Sequence, residues 1–211
     1  FSGHTRFNPL YGHAKGFERF IFRPRGIMQE TGDEDNYVHF IPELISHLEA
    51  HKNENNFVFL HVFDPHASYE PALYLKRVLM KPMRKCNSIV DIKKHERKED
   101  LAYLKDESEA KLYEVDNALN GLFAYFQKQE WFDDATFVLT SDHGMSYERK
   151  GKPLLFKERV HIPLLVKSPG VEAGADDSFI EGSVDLMPSL LKCAGLSGLP
   201  HIDGREWPFI G

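Results

Sequence analysis

Cysteine is scarce: Cys86 and Cys193 are the only two among 211 residues, and neither shares metal-ligand spacing with the other or with a histidine. A disulfide framework is therefore not indicated. Long apolar runs are also missing. None reaches the roughly 18 residues that cross a bilayer, which excludes a transmembrane helix. An excess of positive charge is missing as well. With a formal net charge of -6, the chain lacks the basic surface that releases counterions from a phosphate backbone, so nucleic acid is excluded as a partner. The local exception, Lys81–Lys98, is interrupted by Glu96, is followed by Glu99 and Asp100, and has no aromatics interleaved to stack bases. It reads as a solvated surface segment. Finally, Phe1-Ser2-Gly3-His4 has neither an initiator methionine nor a basic stretch leading into an apolar one. An intact signal peptide is not expected there, and an upstream part is expected to have been removed.

What is present suffices for one core: 42% of the residues are hydrophobic and 27% charged. Residues 1–34 scatter glycine and proline among aromatics and read as an irregular lead-in to a body over 35–211. Asp35 or Asn36 can cap a helix whose apolar positions Val38, Ile41, Leu44, Ile45 and Leu48 recur at helical spacing, with Asn53–Asn56 closing it. Phe57–Phe63 is nearly continuous in apolar and aromatic residues, the pattern of a strand buried on both faces of a parallel sheet. A long charged helix follows, with Leu101, Leu104, Leu112, Val115, Leu119, Leu122, Phe123 and Phe126 as its apolar face. Ala135–Thr140 and Ile162–Val166 read as two more strands, and Val184–Cys193 as a short helix ended by Ala194-Gly195. Alternating strands and helices predict an α/β fold, a mostly parallel central sheet with helices on both faces.

In such sheets ligands bind beyond the carboxyl ends of the strands, and two polar clusters stand at strand exits: Asp64-Pro65-His66 and Ser141-Asp142-His143-Gly144. Asp142 and His143 offer a hard oxygen and an imidazole as adjacent metal ligands, with Gly144 supplying a sharp turn. The alternative is that Asp142 caps a turn and His143 satisfies a hydrogen bond. His66 can donate a proton or bind an anionic oxygen, with Asp64 setting its tautomer, or the turn is structural. Lys152, in a Gly-Lys-Pro turn, can balance a sulfate or phosphate oxygen or be a plain surface lysine. The other nine of the 11 histidines are background.

In order, these pieces resemble the sulfatase family. Phe59–Pro71 is similar to the family's strand ending in Asp-Pro-His-x-Pro-Tyr, with Ser68 in place of the proline. Thr140–Gly144 matches its metal-binding Ser-Asp-His-Gly. Gly151-Lys152 followed by Arg159–Gly170 resembles its Gly-Lys, Arg-Val-Pro-Leu-Ile and Pro-Gly, and Val184–Leu191 with Asp203-Gly204-Arg205 resembles its Val-Asp-Leu-x-Pro-Thr-Leu and Asp-Gly-Arg. The resemblance implies a metal-assisted sulfuric ester hydrolase on an alkaline-phosphatase-like fold. Asp142 and His143 would bind the metal, usually calcium and otherwise magnesium, manganese or zinc. His66 would contact the sulfate or leaving group, and Lys152 the sulfate of a sulfated small molecule or glycan. Family members are often exported, so a periplasmic or secreted location is expected.

The family's nucleophile, a Cys or Ser in Cys/Ser-x-Pro-x-Arg oxidised to formylglycine, has no counterpart in residues 1–211, nor has the earlier pair of aspartates. The chain is accordingly expected to be the C-terminal portion of a catalytic domain, without the small C-terminal subdomain and inactive by itself. Two rivals remain. One is a phosphodiesterase, phosphonate monoester hydrolase or phosphoethanolamine transferase on the same fold; the other is a non-catalytic binding domain.

Overall fold

The computed structural model describes residues 2, 7–22, 40–63, 65, 98–145, 155–175, 182–196 and 201–210. They fall into two compact units divided between Ala124 and Tyr125.

In the first unit, helix α1 spans Ile41–Ala50. Pro42 sits in its first turn, where a missing N–H costs nothing. The capping positions expected at Asp35 and Asn36 lie outside the described residues. Leu44 and Leu48, one turn apart, form the buried face. Asn56 Nδ2 donates to the carbonyls of His51 and Glu54 at 2.9 Å each, closing the turn after the helix as expected. The Phe57–Phe63 run is extended but differs from a strand covered on both faces. Phe57 is 68% and Phe59 45% exposed, whereas Leu60 and Val62, two residues apart on one side of the run, pack against a core of Phe40 and Val115. The bridge to this run forms at His61, where Ser2 pairs in parallel, as it also does with Phe22. Helix α2 spans Lys98–Phe126. Val115 and Leu122 are buried as the apolar face predicts, but Leu112 is exposed and Ser108, Ala110 and Lys111 are buried. Lys111 Nζ meets Glu114 at 2.8 Å, one turn along the helix, which allows a lysine to lie inside.

Beside the exposed aromatics, a cleft of about 120 Å³ is lined by Phe17, Arg19, His47, His51, Glu54 and Phe57, among others. The rings of His47 and His51 lie 4.5 Å apart. Burial first, then His51 and Arg19, hold the His47 pKa below the usual imidazole value against the pull of Glu18 and Glu54.

In the second unit the end of α2 meets a cluster of aromatic rings, with Phe126 5.2 Å from Phe137 and 5.6 Å from Trp131. Strand β1, Phe137–Thr140, pairs antiparallel with β2, Leu164–Lys167, placing Thr140 opposite Leu164. A mostly parallel sheet was expected; the ladder described here is antiparallel because the chain between the strands turns back at the end where it left β1. Between them lies one turn of helix, α3, Lys157–Val160. Lys167 fixes the connection before β1. Its ammonium donates to the carbonyls of Phe132, Asp133 and Ala135, using all three donors, and rests 4.6 Å from the centroid of the Phe132 ring.

A 3-10 turn, Ser183–Asp185, leads into helix α4, Leu186–Cys193. The later Asp203-Gly204-Arg205 segment is tied back onto this junction. Asp185 Oδ1 accepts the Arg205 N–H at 2.7 Å; the fully buried Ser189 hydroxyl donates to the Asp185 carbonyl at 2.6 Å and accepts the Trp207 N–H at 2.9 Å. A Cβ on Gly204 would collide with the Val184 carbonyl, so glycine is needed there for close backbone approach.

Two outcomes are expected. Ser189→Ala leaves the buried Trp207 N–H without its acceptor and lowers unfolding stability by about 1–3 kcal/mol, read from urea midpoints. For His47, the folded pKa lies below the unfolded value of about 6.5, so the unfolded chain takes up more protons as the pH falls. Its contribution, fully present above that pH, is lost as the pH falls through the folded value. Thermal midpoints should therefore decline below about pH 6.5, and His47→Leu should flatten that decline.

Candidate metal centre

The turn that leaves β1 is built from Ser141 to Met145 and lies wholly within the second unit. Thr140 ends the strand with its hydroxyl donating to the Pro163 carbonyl at 2.8 Å, which fastens the exit of β1 to the entrance of β2. Beyond it Asp142 stands in solvent, its side chain 85% exposed, and His143 is 40% exposed. Asp142 Oδ1 accepts the His143 backbone N–H at 2.9 Å, which orients the carboxylate. The turn-capping alternative is thus part of the geometry, but it engages one carboxylate oxygen only.

His143 Nδ1 lies 2.9 Å from the Gly144 carbonyl oxygen. A carbonyl only accepts, so this contact needs the proton on Nδ1, and in the neutral ring the lone pair is then on Nε2. That nitrogen is 3.6 Å from Asp142 Oδ2. The two atoms are thus paired with each other, at a separation that two bonds of about 2.0–2.6 Å to one ion can also span. Metal-bound histidines typically donate their other ring N–H to a carbonyl or carboxylate in this manner. The donor set fits a divalent ion with two of its ligands. Among the described residues, no group of three or more His, Cys, Asp and Glu side chains is gathered for a metal.

Gly144 holds the turn against α3. Its N–H donates to the Arg159 carbonyl at 2.7 Å. Gly144 is not one of the positive-φ glycines; instead a Cβ here would collide with the Glu158 carbonyl oxygen, and would lie 3.2 Å from its carbon. Sequence reasoning read Gly144 as a turn former and missed its partner. The contact joins main chain to main chain, so no side-chain signal marks it.

His66 and Lys152 lie outside the described residues, so their placement relative to Asp142 and His143 is not part of this geometry. Pro65, just before His66, is in a turn. Among the described residues, no helix is long and apolar enough to cross a membrane.

The family model for sulfatases matches residues 3–196. An extracellular sulfatase SULF-1 homolog of Drosophila melanogaster is 33% identical over 99 residues, 45% of this chain and 9% of that protein. Arylsulfatase K of Mus musculus is 29% identical over 94 residues, 43% of this chain and 17% of the relative. The multifunctional alkaline phosphatase superfamily protein PehA of Trinickia caryophylli is 33% identical over 103 residues, 46% and 20% of the two chains. The matched stretches thus cover no more than a fifth of each of these relatives. With nearly its whole length matched by the family model, the chain belongs to the sulfatase family, whose fold is the α/β fold of alkaline phosphatase.

Proposed function

We propose that this chain supplies the Asp-His half of the metal site in a sulfuric ester hydrolase. The reading rests above all on the juxtaposition of Asp142 Oδ2 and His143 Nε2 at 3.6 Å, with His143 Nδ1 against the Gly144 carbonyl. In the complete site, Asp142 and His143 hold a divalent ion, calcium by family habit, with magnesium, manganese and zinc as the other candidates. A bound ion of this kind supplies positive charge for the oxygens of the transferring sulfuryl group. Lys152 binds a sulfate oxygen, and His66 protonates or hydrogen-bonds the leaving alkoxide as the ester S–O bond breaks. Water enters and an alcohol and sulfate leave.

The nucleophile, expected as a formylglycine, is supplied from outside residues 1–211, which contain no Cys/Ser-x-Pro-x-Arg. In this reading the chain is the C-terminal portion of the catalytic domain, and the full sheet is mostly parallel, with the β1–β2 pair as its antiparallel part. The substrate is a sulfated small molecule or glycan, and the setting is periplasmic or secreted. A second reading, phosphate or phosphonate ester hydrolysis on the same scaffold, is supported by the likeness to the alkaline phosphatase superfamily protein. The nucleophile separates them: Cys or Ser before Pro and Arg for sulfatases, Thr for most phosphoryl enzymes.

The test uses the full-length gene product with p-nitrophenyl sulfate and p-nitrophenyl phosphate. Sulfate turnover should predominate, stop on chelation of the metal, and fall by at least about a hundredfold in Asp142→Asn, because several kcal/mol of charge stabilisation are lost. Residues 1–211 alone should show negligible turnover. Dominant phosphate turnover would favour the second reading, and full sulfate turnover in Asp142→Asn would overturn the assignment.

A further inference from the structure

We propose that Gly144 is a positioning residue for the metal pair, acting through backbone docking of the turn onto α3; this rests on Asp142 and His143 being metal ligands. Three observations meet at this residue. Its carbonyl oxygen lies 2.9 Å from His143 Nδ1 and accepts its N–H, while Nε2 of the same ring stands 3.6 Å from Asp142 Oδ2. Its N–H is held by the Arg159 carbonyl at 2.7 Å. Its Cα lies against the Glu158 carbonyl, with no space for a side chain.

Because the same residue carries the tautomer-setting carbonyl and the anchoring N–H, the imidazole orientation is linked to α3 through one short stretch of main chain. The helix is a single turn, and the side chains of Lys157, Glu158 and Val160 are exposed. What it presents to the turn is main chain: the Glu158 carbonyl in contact and the Arg159 carbonyl as acceptor. The Arg159 and Val160 N–H groups in turn donate to the Phe156 carbonyl at 2.9 and 3.1 Å, which fixes the direction of the Arg159 carbonyl. A residue larger than glycine at 144 must push the turn away from α3. That lengthens the Gly144–Arg159 bond, releases the carbonyl that holds His143, and separates Nε2 from Asp142 Oδ2. Outer-shell hydrogen bonds of this type are worth about 10–100-fold in metal affinity.

The experiment is a manganese titration of the full chain, labelled with nitrogen-15 and followed by NMR. Paramagnetic broadening of the His143 ring and the 141–145 amides reports binding even when it is weak, and the ring nitrogen shifts report the tautomer. The unaltered protein should show Nδ1 protonated without metal and progressive broadening at His143 as manganese is added. Asp142→Asn should largely abolish that broadening. Gly144→Ala should raise the half-broadening concentration at least about tenfold and lose the Nδ1–H preference, while amide dispersion elsewhere stays unchanged. Should Gly144→Ala not fold, Val160→Pro serves instead. It removes the bond to Phe156 and drives Arg159 out of helical geometry, and it should produce the same rise and loss. A folded Gly144→Ala or Val160→Pro with native tautomer and native titration overturns the positioning role, even if Asp142→Asn abolishes binding. If Asp142→Asn titrates like the unaltered protein, the ligand reading fails and the positioning role falls with it.

Discussion

The second unit depends on the antiparallel ladder between β1 and β2. Pairing Thr140 with Leu164 puts the exit of one strand beside the entrance of the other, and the Thr140 hydroxyl bonded to the Pro163 carbonyl fastens that end. The residues after β1 and those before β2 must then share one small region. The turn carrying Asp142 and His143 consequently meets α3 main chain to main chain, and glycine is the residue that permits the approach. In a parallel pair the entrance to β2 would stand at the opposite end of the strands. The turn of Asp142 and His143 would then have lost its main-chain contact with α3.

The same logic governs the tail. Asp185 and Ser189 are buried, yet their polar atoms are engaged by the backbone of Arg205 and Trp207 and by the chain's own Asp185 carbonyl. The Val-Asp-Leu-Met-Pro-Ser and Asp-Gly-Arg segments, which carried a family likeness in the sequence, are here two halves of one structural fastening. They hold α4 to the segment after it.

Much of this was legible from residue patterns. Helical spacing located α1 and α2, and apolar runs located β1 and β2 to within a few residues, because burial of one face imposes those periods. Asp142 and His143 stood out as candidates because few side-chain types ligate metals and these two are adjacent just beyond β1, which ends at Thr140. The rest was hidden for definite reasons. Strand direction depends on where the intervening chain returns, which local pattern does not encode. The exposure of Phe57 and Phe59 beside the packed Leu60 and Val62 depends on which neighbours flank the run. The partner of Gly144 is a pair of main-chain carbonyls, which any residues at 158 and 159 would possess.

The central claim is that Asp142 and His143 form part of a divalent metal site. Anomalous diffraction from manganese-soaked crystals, recorded at the manganese edge, tests it most directly. The account predicts a peak within about 2.0–2.2 Å of both Asp142 Oδ2 and His143 Nε2, with His143 Nδ1 still donating to the Gly144 carbonyl. Manganese bound elsewhere, with no density between these two atoms, would contradict it.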